Sequence, residues 1–144
     1  MKEFRKVVVA VDGSPGSIQA ARAGARLADA MEIPLALVHV FPLMTHEVTG
    51  AMGLTREEIA KIRESAAEKV FAEIMAELSE RTSEPEHVAL IGDPAEEILA
   101  YLDNQQDLLC VVGRRGQSKL GALLLGSVSD KVVRHTHTPV TIVS

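Results

Sequence analysis

The sequence predicts a single α/β domain: an open five-stranded parallel sheet in the order 3-2-1-4-5 with helices on both faces. Three observations predict it. Five short apolar runs, KVVVAV (6–11), PLALVHV (34–40), HVALIG (87–92), LLCVVG (108–113) and PVTIV (139–143), alternate with longer segments of helical periodicity, the pattern of a parallel sheet. The runs are continuous rather than alternating, as strands covered on both faces are. The chain has 144 residues, one domain's worth, and 47% of them are hydrophobic, enough to build a real core. No internal repeat, low-complexity tract or linker divides it, so residues 1–144 read as one domain.

In order, the first strand ends at VDGS, and the first helix opens at Ser14-Pro15, a hydroxyl N-cap followed by proline at the first helical position, and runs through an alanine-rich stretch to about Met31. The second strand leads into PLMTHEVTGAMGL (42–54), a connection long enough to act as a functional cover. The second helix opens at Thr55, with Glu58 three residues on as a capping box, and carries Ile59, Ile62, Ala66, Val70, Ile74 and Leu78 at spacings of three and four. The third strand is followed by Asp93-Pro94, which caps a helix packing Ile98, Leu99 and Leu102. The last helix spans about Ser127 to His135, with Val128, Val132 and Val133 available to face the sheet. The fifth strand closes the chain as an apolar edge.

Composition narrows the function classes. Twenty acidic against fifteen basic residues give a net charge of -5, and aromatic residues make up 3% of the chain; both argue against a nucleic-acid partner held by bulk electrostatics and stacking. The apolar run after the N-terminal basic residues stops at Val11 and meets Asp12, too short for a signal peptide or a membrane span. The single cysteine, Cys110, lies inside an apolar strand and reads as inert packing, which fits a cytoplasmic address.

Open α/β sheets bind ligands beyond the carboxyl ends of their strands, where the strand order reverses. With the order 3-2-1-4-5, Asp12 at the tip of the first strand and Gly113 at the tip of the fourth face each other there. From Gly113 the chain reads GRRGQSKLGALLLGSVS (113–129). Gly113 and Gly116 give a loop with little bulk and access to positive φ, whose N–H groups can approach an anion. Gly126 and Ser127 open the last helix, whose orphan N–H groups favour negative charge, and the hydroxyls of Ser127 and Ser129 can donate to phosphate oxygens. The spacing is neither that of a Walker A loop nor that of the dinucleotide fingerprint.

The arrangement G-x2-G-x9-G-S, after a strand and before the final helix, resembles the ATP-binding motif of the universal stress protein family. The VVVAVDGS opening, the LVHV strand, the GDPAEEI helix entry and the closing TPVTIV extend the resemblance over nearly the whole chain. It implies a Rossmann-like fold of the adenine nucleotide alpha hydrolase kind, binding ATP with Mg, or Mn in its place. By motif position, Asp12 would lie near the ribose and the metal, Val40 and the backbone around it at the adenine, and Val112 and Gly113 along the nucleotide. Gly116 would lie by the phosphates, and Gly126, Ser127, Val128 and Ser129 would hold the triphosphate. The resemblance also implies a homodimer through the strand 139–143, which agrees with an apolar sheet edge in need of cover.

The simpler roles stand beside these. The two glycines could only shape a turn, Ser127 only cap a helix, and Asp12 only cap the first turn. Arg114, Arg115 and Lys119 read as solvated charges, His39 as a hydrogen-bonded, partly buried histidine, and His135 and His137 lack a third ligand for a metal. Met31, Met44, Met52 and Met75 read as core or loop filler. No obvious base stands near the motif except Asp12, which the resemblance assigns to binding, so the expected activity is a nucleotide-dependent regulatory switch in a stress response, with at most slow ATP hydrolysis or autophosphorylation. The alternative is an ATP-independent homodimeric interaction protein of the same fold. An ATP pyrophosphatase or nucleotidyl transferase is disfavoured, because S-G-G-x-D-S and H-x-G-H are absent.

Overall fold

The computed structural model describes residues 3–43, 50–78, 84–114 and 125–144. In chain order the elements are β1 (Lys6–Ala10), α1 (Pro15–Met31), β2 (Leu35–Pro42), α2 (Arg56–Glu77), β3 (Glu86–Gly92), α3 (Pro94–Asp103), β4 (Leu108–Gly113), α4 (Ser127–His135) and β5 (Val140–Val143). The sheet order is β3-β2-β1-β4-β5, with every neighbouring pair parallel. The predicted architecture and order are therefore those observed. Part of the long 42–54 connection, residues 44–49, lies outside the described residues.

Because successive strand residues point to opposite faces, each continuous apolar run feeds two cores. Val7 and Val9 of β1, Leu35 and Leu37 of β2, and Leu109 and Val111 of β4 face α1 and α2. There the fully buried hydrophobic residues of α1 are alanines, with Gly24 beside them, which lets it lie close to the sheet, while α2 contributes Ala67, Phe71 and Ile74. Val8, Ala36, Val38, Cys110 and Val112 face the other way, onto Ile98 and Leu102 of α3 and Val132 of α4.

Three helices begin where the sequence places a cap. The Ser14 hydroxyl accepts from Ser17 N–H at 3.2 Å, Thr55 from Glu58 N–H at 3.1 Å, and Asp93 from Glu96 N–H at 3.0 Å. Each satisfies one of the orphan donors of a first turn. Two details differ from expectation. The buried face of α2 is centred on Ala67, Phe71 and Ile74, and Ile62 is exposed, because the bulky Phe71 ring sets the rotation of the helix over β2 and β3. Val133 of α4 is also exposed rather than sheet-facing, as is Met52.

Candidate functional site

β1 turns into α1 through Gly13, whose φ of 81° is the left-handed conformation that glycine adopts without strain. Asp12 fixes this turn: its Oδ1 accepts from Ser14 N–H at 2.9 Å, and its own N–H donates to Ser17 Oγ at 3.2 Å. The turn-capping role considered for Asp12 is real. The residue also borders a cavity of about 370 Å³ that opens where β1 and β4 diverge in connection.

The cavity has two kinds of wall. Val38 and Val40 of β2, Pro42, and Pro94 and Ile98 of α3 give it an apolar side suited to a flat ring. Asp12, Ser14 and Ser17 on one flank and Gly126, Ser127 and Ser129 on another give it a polar side. Val112, Gly113 and Val128 complete the predicted set there, so every candidate residue among the described ones borders this one cavity. Gly116, with Arg115 and Lys119, lies outside the described residues. Asp12 is the one carboxylate among the described lining residues. Within the described residues no group of three His, Cys, Asp or Glu side chains is arranged to hold a metal ion.

The polar end rests on the start of α4. Its N-cap, Gly126, makes no side-chain capping bond, unlike the described caps of α1, α2 and α3. Gly126 N–H donates to Arg114 C=O at 2.7 Å, so the chain leaves at residue 114 and returns to the same point at 126. The first intrahelical bond runs from Asp130 N–H to Gly126 C=O at 2.8 Å. The N–H groups of Ser127, Val128 and Ser129 are therefore the open first-turn donors, carrying the positive end of the helix dipole. An anion is the natural occupant of such a helix end.

The geometry revises two residue roles. Ser129 Oγ donates to Gly113 C=O at 2.8 Å and is buried, so its hydroxyl ties α4 to β4, and what it offers a ligand is its backbone N–H. Ser127, by contrast, is exposed. Gly113 does not use positive φ; a Cβ there would stand 2.6 Å from the carbonyl oxygen of Gly16 in the first turn of α1. Glycine at 113 permits close approach of two backbones, with the left-handed turn made instead by Gly13.

His39 is hydrogen-bonded and buried, as its interior position in the second strand predicts. Its Nδ1 lies 2.9 Å from the Val11 carbonyl, and its ring meets the edge of Phe71 at a centroid distance of 6.4 Å. Burial pushes the Cys110 thiol up to about 12, leaving it a protonated core group. Ser14, Ser17, Pro42, Pro94 and Ile98 border the cavity without having been singled out for it. The Asp-Pro after β3 and the Ser-Pro after β1 are the signals that could have placed them, since both mark helix starts at the ligand-binding end of the sheet. No described helix is long and apolar enough to cross a membrane.

Comparison with known proteins places this architecture. Residues 3–144 match the model of the universal stress protein family. The chain is 34% identical to the universal stress protein YxiE of Bacillus subtilis over 146 residues, covering 97% of this chain and 99% of that one. Among solved structures, a universal stress protein in complex with cAMP has the same fold, with a TM-score of 0.66, 23% identity, and coverage of 98% of this chain and 97% of the other. A universal stress protein of Archaeoglobus fulgidus in complex with dAMP matches with a TM-score of 0.62 and 20% identity over the full length of both chains. The chain belongs to the universal stress protein family.

Proposed function

We propose that this protein binds an adenine nucleotide, ATP with Mg or Mn foremost, at the carboxyl end of its sheet and acts as a nucleotide-dependent regulatory switch in a stress response. The observation that carries the reading is the convergence on one cavity of Asp12, Val40, Val112, Gly113, Gly126, Ser127, Val128 and Ser129, at the one described helix start left without a side-chain cap. The base would lie against Val40, Pro42, Pro94 and Ile98, and the phosphates over the open N–H groups of Ser127, Val128 and Ser129. Asp12 is the carboxylate available to the metal, whose remaining ligands would be phosphate oxygens and water. The complexes of two proteins of this fold with cAMP and dAMP support the choice of adenine.

Asp12, the one carboxylate of the described lining, is assigned in this reading to the metal rather than to a base, so hydrolysis or autophosphorylation would be slow and the bound state itself the signal. The strand at 139–143 would form a homodimer: β5 is a short sheet edge, and Ile142 on it is 42% exposed. A cytoplasmic address belongs to the same reading.

Titration calorimetry of nucleotide-free protein with ATP and Mg tests it, alongside Gly126→Val. Residue 126 has φ -58° and ψ 152°, an extended conformation open to any residue, so the substitution adds bulk at the cradle without demanding a forbidden backbone. Micromolar or tighter binding that is lost in a folded variant supports the switch. No binding by the natural protein leaves the ATP-independent homodimer.

A further inference from the structure

The β1–β2 ladder stops where β1 ends, although β2 runs on to Pro42. Their parallel register runs from Val7↔Leu35 to Ala10↔Val38, and the last rung is Val11 N–H to Val38 C=O at 2.8 Å. In a parallel ladder the next rung would join Val40 N–H to Val11 C=O. It is not made, although β2 continues to Pro42 and its other edge stays paired with β3 as far as Pro42↔Gly92. The Val11 carbonyl has a different partner, His39 Nδ1 at 2.9 Å. A carbonyl oxygen only accepts, so Nδ1 carries the proton and donates.

His39 is well fixed for this task. It is only 8% exposed, and Phe71 of α2 meets its ring nearly perpendicularly, at 81°. Phe71 is itself stacked on His87 of β3, with centroids 4.5 Å apart and planes 20° apart. The imidazole therefore satisfies a buried carbonyl that would otherwise call for the missing rung. Alternate residues of β2 turn their peptide groups to opposite neighbours. Val38 serves β1, and Leu43, on the odd-numbered side, donates to Gly92 of β3 at 3.1 Å. Val40 shares the side of Val38, so its peptide group faces the gap beyond Val11, and Val40 borders the cavity.

We infer that His39 is a positioning residue for base recognition: by holding the Val11 carbonyl it ends the β1–β2 ladder early and presents the Val40 N–H to the base of the bound nucleotide. This rests on the nucleotide reading above. A lone peptide donor selects a base with an acceptor in reach. The N1 atom of a 6-aminopurine carries a lone pair, whereas N1 of a 6-oxopurine carries a hydrogen. His39 thus contributes to the choice of adenine over hypoxanthine or guanine without itself touching the base.

The test compares the natural protein with His39→Phe, which keeps a ring against Phe71 and removes the donor, and His39→Asn, whose amide nitrogen can replace Nδ1. His39→Leu is a second donor-less variant should the phenyl ring fail to pack. Amide hydrogen exchange at Val40 is followed by NMR without ligand, and AMP and IMP affinities are measured by calorimetry. In the natural protein the Val40 amide is expected to exchange readily and to become protected by AMP. In His39→Phe or His39→Leu it should be protected without ligand, with AMP affinity reduced about three- to tenfold and the AMP-to-IMP ratio falling toward one. His39→Asn should restore both. A Val40 amide already protected in the ligand-free natural protein, or one that the donor-less variants leave unchanged, overturns the inference. Absence of AMP and IMP binding to the natural protein would instead refute the nucleotide reading, while the ligand-free Val40 comparison would still decide what His39 does to the strand.

Discussion

Replacing Gly113 by alanine isolates the contact between the end of β4 and the start of α1. The added Cβ would lie 2.6 Å from the carbonyl oxygen of Gly16 and 2.7 Å from its carbon, against an ordinary contact of at least 3.4 Å. Both obstacles are backbone, so no rotamer change relieves them. Nor can the end of β4 move aside freely: Arg114 N–H donates to Val143 C=O at 2.8 Å, Arg114 C=O accepts from Gly126, and Ser129 Oγ holds the Gly113 carbonyl. The strain must be shared between β4 and the first turn of α1. Overpacking of this kind costs about 1–3 kcal/mol. At roughly 3 °C per kcal/mol for a chain of this size, the thermal midpoint should fall by about 3–9 °C. Thermal unfolding followed by circular dichroism measures it, with ligand absent so that lost binding does not contribute. A midpoint within 1 °C of the natural protein would refute the close-approach account and return Gly113 to a role confined to the ligand.

Three further outcomes follow from particular contacts. Ser129→Ala should lower stability by about 1 kcal/mol, because it orphans the buried Gly113 carbonyl, whereas Ser127→Ala, at an exposed site, should leave urea unfolding unchanged and weaken nucleotide binding. Tyr101→Phe should be neutral or stabilising by up to about 1 kcal/mol, since the Tyr101 hydroxyl is buried without a hydrogen-bond partner among the described residues; a loss above 1 kcal/mol in denaturant melts would show that the hydroxyl is satisfied. The Cys110 thiol, raised from 9.0 to about 12 by burial, stays protonated in the folded state while the unfolded chain deprotonates it above pH 9. Its contribution to stability is therefore complete below pH 9 and declines as pH rises toward 12, by at most about 1.4 kcal/mol per pH unit. Cys110→Ala should flatten that slope in urea titrations, and native protein should resist thiol reagents at pH 8.

Local chemistry made much of this fold readable in the sequence. Ser14-Pro15, Thr55 with Glu58, and Asp93-Pro94 are short-range signals, and each one caps a helix where it occurs. Five continuous apolar runs sufficed for a parallel sheet because most residues of the inner strands β1, β2 and β4 pack into one of two apolar layers. What the sequence hid depends on distant partners. The rotation of α2 is set by Phe71 meeting His39 and His87, residues 32 and 16 positions away, and helical periodicity alone favoured a stripe that included the exposed Ile62. The approach of Gly16 to Gly113 and the bond from Ser129 to Gly113 likewise need the tertiary arrangement. The candidate site residues were legible because they follow the strand tips and helix starts that the βα pattern brings together. The early end of the β1–β2 ladder was not, since His39 reads as any other strand histidine until its bond to Val11 is seen.

The most direct test of the account is an amide-resolved NMR titration of the nucleotide-free protein with ATP and Mg. The largest shifts are expected at Ser127, Val128 and Ser129, with a second group at Val40 and at Asp12, and little change on the opposite end of the sheet around Lys6 and Leu108. Saturable shifts confined to that opposite end, or no shifts at millimolar ATP, would contradict it.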